Sequence, residues 1–171
     1  CKDKLFNYID NRSENKDYDV MIINSDALIN AKLNLKSKEL NIFGIDRVVL
    51  SLKNKVWIKP LNENLTIKKN RDLDFDGLIT AGKTQYYGYN FSFLYDDFKL
   101  NMPQCDSMFI WADYNESKNK GKLVRMVSNI KSLVGHIQID DPSNKSGLDT
   151  SHHEFPVLFS NSKTYVYYDD P

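Results

Sequence analysis

Apolar and polar side chains alternate with a period of two through most of this chain, and that rhythm constrains its fold more than any other feature. Ala31, Leu33 and Leu35 alternate with Asn30, Lys32, Asn34 and Lys36. This spacing gathers the apolar set on one face of a pleated strand and would scatter it around a helix. Leu40 and Ile42 continue the pattern after a Lys36-Ser37-Lys38-Glu39 turn. Val48-Val49-Leu50, Val56-Trp57-Ile58 and Leu65-Thr66-Ile67 follow, separated by Lys53-Asn54-Lys55 and Leu61-Asn62-Glu63-Asn64. Short apolar runs punctuated by such turns predict an all-β fold.

The middle of the chain is rich in rings. Leu73, Phe75 and Leu78-Ile79 read as one strand, broken at Ala81-Gly82-Lys83. Tyr86-Tyr87-Gly88-Tyr89 then leads into Phe91, Phe93 and Tyr95, alternating with Asn90, Ser92 and Leu94, which predicts a ladder of rings on one face. Phe98, Leu100 and Met102 alternate up to Pro103, which should end the run. Met108-Phe109-Ile110-Trp111 reads as a separate strand, and residues 115–122 as an exposed loop. Leu123 to Ile130 fits a short helix or a strand equally well. Val134 to Ile139, Val157-Leu158-Phe159 and Tyr165-Val166-Tyr167-Tyr168 read as strands, with a long turn over Asp140 to Gly147. Phe43-Gly44-Ile45, Tyr87-Gly88-Tyr89 and Val134-Gly135-His136 form a faint repeat with glycines about 45 residues apart, a length that suits one layer of a repeating β architecture.

Charge narrows the partners. Lysine plus arginine and aspartate plus glutamate number 23 each, and the signs mix locally, which argues against nucleic acid as a partner. Apolar runs are about as short as Val20-Met21-Ile22-Ile23, far below the roughly 18 residues of a membrane-spanning helix. The chain opens on Cys1, which reads as a fragment of a longer protein or, alternatively, as the acylated first residue of a lipoprotein. A disulfide between Cys1 and Cys105 is open to the sequence but not required by it.

Motifs with chemical potential are each outweighed by a plainer reading. Asp72, Asp74, Asp76 and Gly77 open like a calcium loop, but Lys83 stands where the final carboxylate ligand belongs, so an amphipathic strand is expected there. His152, His153 and Glu154, with Asp149 and His136, lack convergent zinc spacing. Cys105 has no orienting partner for nucleophilic work, and Asp140-Asp141 sit in a turn with no opposing carboxylate. No catalytic residue, metal or cofactor is therefore expected. The remaining candidates are the aromatics Trp57, Tyr86, Tyr87, Tyr89 and Trp111, whose ring faces suit stacking on sugars.

Several blocks resemble very large, uncharacterised, β-repeat-rich envelope proteins of the Bacteroidota. They are Lys68-Lys69-Asn70-Arg71-Asp72 with Phe75-Asp76-Gly77 and Ala81-Gly82; Tyr87-Gly88 running into Phe91-Ser92-Phe93; and Tyr95-Asp96-Asp97-Phe98-Lys99-Leu100 with Asp106-Ser107-Met108. Further blocks are Ile139 to Leu148, Phe159 to Lys163 and Tyr165 to Asp169. The resemblance spans the chain from about Asp26 onward. It implies an interior segment of a longer chain and a periplasmic or secreted address, and it carries over no activity or site residues.

The expectation is thus one β-rich segment over residues 1–171, built of stacked antiparallel strands in a curved or solenoid-like sheet, with a sandwich as second choice. Its expected role is non-catalytic scaffolding within its own longer chain, with a lipid-accommodating trough as a variant. The alternative is a module that binds polysaccharide through exposed aromatics.

Overall fold

Burial alternates along the strands in step with the hydropathy of the sequence. In the computed structural model, which describes residues 6–10, 21–113, 123–126, 129–161 and 165–167, fourteen strands follow one another. They are β1 (Phe6–Asp10), β2 (Met21–Ser25), β3 (Ala31–Leu33), β4 (Leu40–Phe43), β5 (Ile45–Ser51), β6 (Val56–Pro60) and β7 (Asn64–Ile67). After these come β8 (Leu73–Ala81), β9 (Thr84–Leu94), β10 (Lys99–Asp113), β11 (Leu123–Arg125), β12 (Asn129–Gln138), β13 (Val157–Ser160) and β14 (Tyr165–Tyr167). No helix occurs among the described residues, and every strand pair is antiparallel, as short hairpin connections demand. The fold is all-β, as the period of two requires.

The pairing path runs β1-β2-β5-β6-β8-β9-β10-β12-β13, with a β3-β4-β7 branch and with β11 and β14 beside β10 and β12. It is an open sheet and not a closed barrel. Strand β8 is shared between two neighbours: Leu73 and Asp74 pair with β7, whereas Gly77 to Ala81 pair with β6. The ribbon from β6 to β7 therefore turns a corner at residues 61–63, where Leu61 N–H donates to the Asp76 carbonyl at 2.8 Å.

A crease crosses the sheet at that corner. Gly77 lies opposite Gly88, and Gly88 opposite Cys105. The ladders are irregular between Phe75 and Gly77, between Cys105 and Ser107, and between Met102 and Cys105. Bulges bend a strand and sharpen its twist, and the glycines let backbones approach where a side chain cannot fit. A Cβ on Gly88 would lie 2.1 Å from the Gln104 carbonyl oxygen.

Bending folds one face of the sheet over on itself around a single apolar core from Met21 to Ile139, none of whose members is more than 7% exposed. Fully burying an aliphatic or phenyl side chain contributes about 1.5–3 kcal/mol. Edge-on ring pairs such as Phe93–Phe98 at 5.9 Å and Phe75–Phe91 at 5.7 Å add about 0.5–1.5 kcal/mol each. The curl is closed by polar contacts. The β5–β6 turn and the end of β12 are separated along the sheet by β8, β9 and β10, yet Asn54 Nδ2 donates to the Ile139 carbonyl at 2.7 Å and to Asp140 Oδ2 at 2.8 Å.

Four local expectations change. Leu33 and Leu35 do not face a core: they are 54% and 82% exposed, because β3 pairs only with β4 on a hairpin that projects beyond it. Pro103 does not end a strand; it sits exposed at a bulge and β10 continues to Asp113, since a bulge tolerates the missing N–H. The three repeat-like glycines have unlike settings: Gly44 is a positive-φ corner between β4 and β5, whereas Gly88 and Gly135 lie within strands β9 and β12. The ring ladder is broken by Asn90, whose φ of 57° marks an extra residue in β9 where three residues span what two span on β8. The loop expected at 115–122 lies outside the described residues, apart from a boundary with Asp113 and Leu123 that β10 and β11 define.

Candidate functional site

The inserted residue at Asn90 decides which rings face outward. Before it, Tyr86 and Gly88 point into the core while Gln85, Tyr87 and Tyr89 point out; after it, Phe91 and Phe93 point in. Strand register carries the outer face across to neighbouring strands. Trp57, Thr80, Gln85 and Phe109 form one cross-strand row, and Leu78, Tyr87 and Ser107 the next. Trp111, two residues beyond Phe109, donates its indole N–H to Gln85 Oε1 at 3.1 Å. Four of the five expected aromatics thus share one half-exposed face. Tyr86 does not: it is buried on the opposite face, and burial pushes its phenol pKa up.

Tyr87 and Tyr89 meet edge-on at 5.9 Å with their hydroxyls 3.2 Å apart. That hydrogen bond, together with the Asp106 and Asp76 carboxylates, raises the pKa of Tyr89, so the phenol remains a neutral donor or acceptor. Tyr89 directly precedes Asn90, which with Asp76 lines a cleft of about 490 Å³ that opens where β7 diverges from β6. Asn62, Asn64, Thr66, Asp74, Asp76, Asn90 and Ser92 line it, together with Leu65 and the Phe75–Phe91 pair. Asp76 Oδ1 accepts the Asn90 backbone N–H at 2.7 Å, and Lys68 pairs with Asp74 at 2.6 Å, which fixes both carboxylates at the cleft. The cleft is missed by sequence reasoning, although its signal was present in the asparagine-rich 61–64 turn and the Asp-x-Asp-x-Asp run.

One polar group in the aromatic row stands apart. The Thr80 hydroxyl is buried between Trp57 and Gln85 and has no hydrogen-bond partner among the described residues. An unsatisfied buried hydroxyl costs about 1–3 kcal/mol.

The other groups weighed in the sequence have structural settings. Asp72 Oδ1 accepts the Tyr95 N–H at 2.9 Å, and Asp74 and Asp76 project from strand β8, so the Asp-x-Asp-x-Asp run forms the outer edge of a strand. Among the described residues no group of three His, Cys, Asp or Glu is arranged to hold a metal. His152 lies 3.6 Å from both Asp149 and Glu154, while His136 stacks on Phe159 at 4.8 Å. Cys105 is a buried free thiol whose pKa burial pushes up to about 11; Cys1 lies outside the described residues. Asp140 is fully buried and accepts from Lys53, Asn54, Asn144 and its neighbour Asp141 N–H, whereas Asp141 is bound to Ser143, which lowers its pKa. Among the described residues the inner apolar face is buried core.

Comparison with family models, curated proteins and solved structures finds no match to this chain, so the resemblance drawn from the sequence gains no support from them.

Proposed function

We propose that this β module binds carbohydrate without turning it over, on the outer face of β6, β8, β9 and β10. The observation that carries the reading is the continuity of two unlike surfaces. An aromatic platform of Trp57, Tyr87 and Tyr89 runs into a cleft lined by Asp76, Asn62, Asn64 and Asn90. Sugars present apolar C–H faces and a rim of hydroxyls, so rings that stack and amides or carboxylates that exchange hydrogen bonds suit both parts. Sites of this kind combine apolar walls with a few placed polar groups.

A glycan array, followed by titration of any responding glycan against tryptophan fluorescence, tests the proposal. Binding should fall about tenfold in Tyr89→Ala, the loss of about 1.4 kcal/mol, with melting temperature lowered by no more than roughly 6 °C through loss of the Tyr87 ring contact. Silence across all arrayed polysaccharides would overturn it.

A scaffolding role, docking the remainder of a longer chain, is the second reading. The exposed Leu123 and Val124 on β11, a short strand that pairs with β10, favour it. Light scattering should then show self-association of the isolated module; a strict monomer would count against it. Either reading suits the envelope or secreted address that the sequence resemblance implies.

A further inference from the structure

We infer that the carbohydrate taken here is an extended, neutral oligosaccharide, bound along β8 and β9 from the Trp57–Thr80–Gln85 row to the Asp76–Asn90 cleft. This rests on the saccharide-binding reading and specifies its ligand. Three observations carry it.

The first is length. Strands rise about 3.3 Å per residue, so the six steps from Asp74 to Thr80 span roughly 20 Å of straight strand. The crease at Gly77 shortens that distance, but polar and aromatic groups recur along all of it, through Tyr89 and Tyr87 on β9. A terminal sugar would use the cleft alone. Only several linked rings reach both ends.

The second is the orphan hydroxyl of Thr80. It is only 5% exposed and lies between two larger side chains of the same row, so the far end of the track holds an unused polar group beneath its surface. Trp57, half-buried beside it, is the side chain that would have to turn aside for a sugar hydroxyl to reach Thr80 and satisfy it.

The third is charge. No ionised side chain stands within the Trp57–Thr80–Gln85 row; in the neighbouring row Lys59, opposite Leu78, pairs with Asp46 at 3.4 Å, and Arg125 lies over the Phe109 ring at 3.9 Å. At the other end Asp74 is neutralised by Lys68, which leaves the Asp76 carboxylate to repel anionic sugars. A second copy of the chain is a poorer occupant, because the platform is interrupted by hydroxyl and amide groups and lacks the continuous apolar centre of a homodimer interface.

Calorimetry with ladders of one to six rings of β-1,4-glucan, xylan and mannan, and with polygalacturonate ladders for comparison, tests this. Affinity should rise at least tenfold from the monosaccharide to the tetrasaccharide of a neutral ladder. Trp57→Ala should abolish that gain, so that its tetrasaccharide binds no more tightly than its monosaccharide. Binding that is flat with length, or stronger for polygalacturonate, overturns the inference and leaves carbohydrate binding standing. No binding to any ladder overturns both, as does a dimer in sedimentation that Trp57→Ala dissolves.

Discussion

Replacing Asp140 by asparagine, the nearest isostere, should destabilise the protein about as much as replacing it by alanine. Each carboxylate oxygen accepts two donors. Oδ2 takes Lys53 Nζ at 3.2 Å and Asn54 Nδ2 at 2.8 Å; Oδ1 takes Asn144 Nδ2 at 3.2 Å and the Asp141 N–H at 2.8 Å. An amide supplies one acceptor oxygen, so its NH2 faces two donors whichever way it is turned. Turning Asn144 to help would cost the bond its own Oδ1 accepts from the Asp149 N–H at 3.0 Å. Two hydrogen bonds are lost at about 1 kcal/mol each, and buried donors are left facing one another at a further cost of about 1–3 kcal/mol. Lys53 is about a quarter exposed, so its ionic share is screened and discounted. The sum is roughly 3–5 kcal/mol, which lowers the melting temperature by roughly 12 °C in a domain of this size. Urea unfolding of wild type, Asp140→Asn and Asp140→Ala measures it, and a lower slope in the variants would show the curled sheet opening before global unfolding. An asparagine variant within about 0.5 kcal/mol of wild type would refute the reasoning, since that is the scatter of ordinary surface changes.

Two further outcomes follow from the geometry. Gly88→Ala places a Cβ 2.1 Å from the Gln104 carbonyl oxygen and 2.9 Å from Cys105 Cα, in the middle of the sheet, and should cost about 1–3 kcal/mol or more in urea unfolding; an unchanged midpoint would mean the crease does not need that close approach. The Ser143 hydroxyl and N–H lower the Asp141 pKa, so the bond favours the folded state fully above the unfolded-state pKa and is lost as pH falls through the folded one; carbon-detected NMR titration should show the Asp141 midpoint rise in Ser143→Ala.

Strand identity was legible in the sequence because it is a local property. The side chains that alternate in Leu73-Asp74-Phe75-Asp76 also alternate in burial, and the 53–55 and 61–64 segments turn where their residue types predict. Two of those turns use a left-handed Lys55 and Glu63, which composition does not announce. The outward aromatic face was only half legible. Trp57, Tyr87, Tyr89 and Trp111 were visible as exposed-strand aromatics, but Tyr86 was assigned with them and is core.

What the sequence determined alone is the all-β class and the set of side chains able to fill a core, since a two-residue period can be sorted only by a pleated strand. What tertiary structure decided is the face each stretch shows and which distant groups meet. One inserted residue at Asn90 reverses the parity of β9 and sends Tyr87 and Tyr89 outward while Phe91 and Phe93 turn inward. The bend at Gly77 and Gly88 opens the cleft and carries Asn54 to Asp140 across three intervening strands. Register and curvature arise from pairings between residues far apart in sequence, so no local pattern contains them.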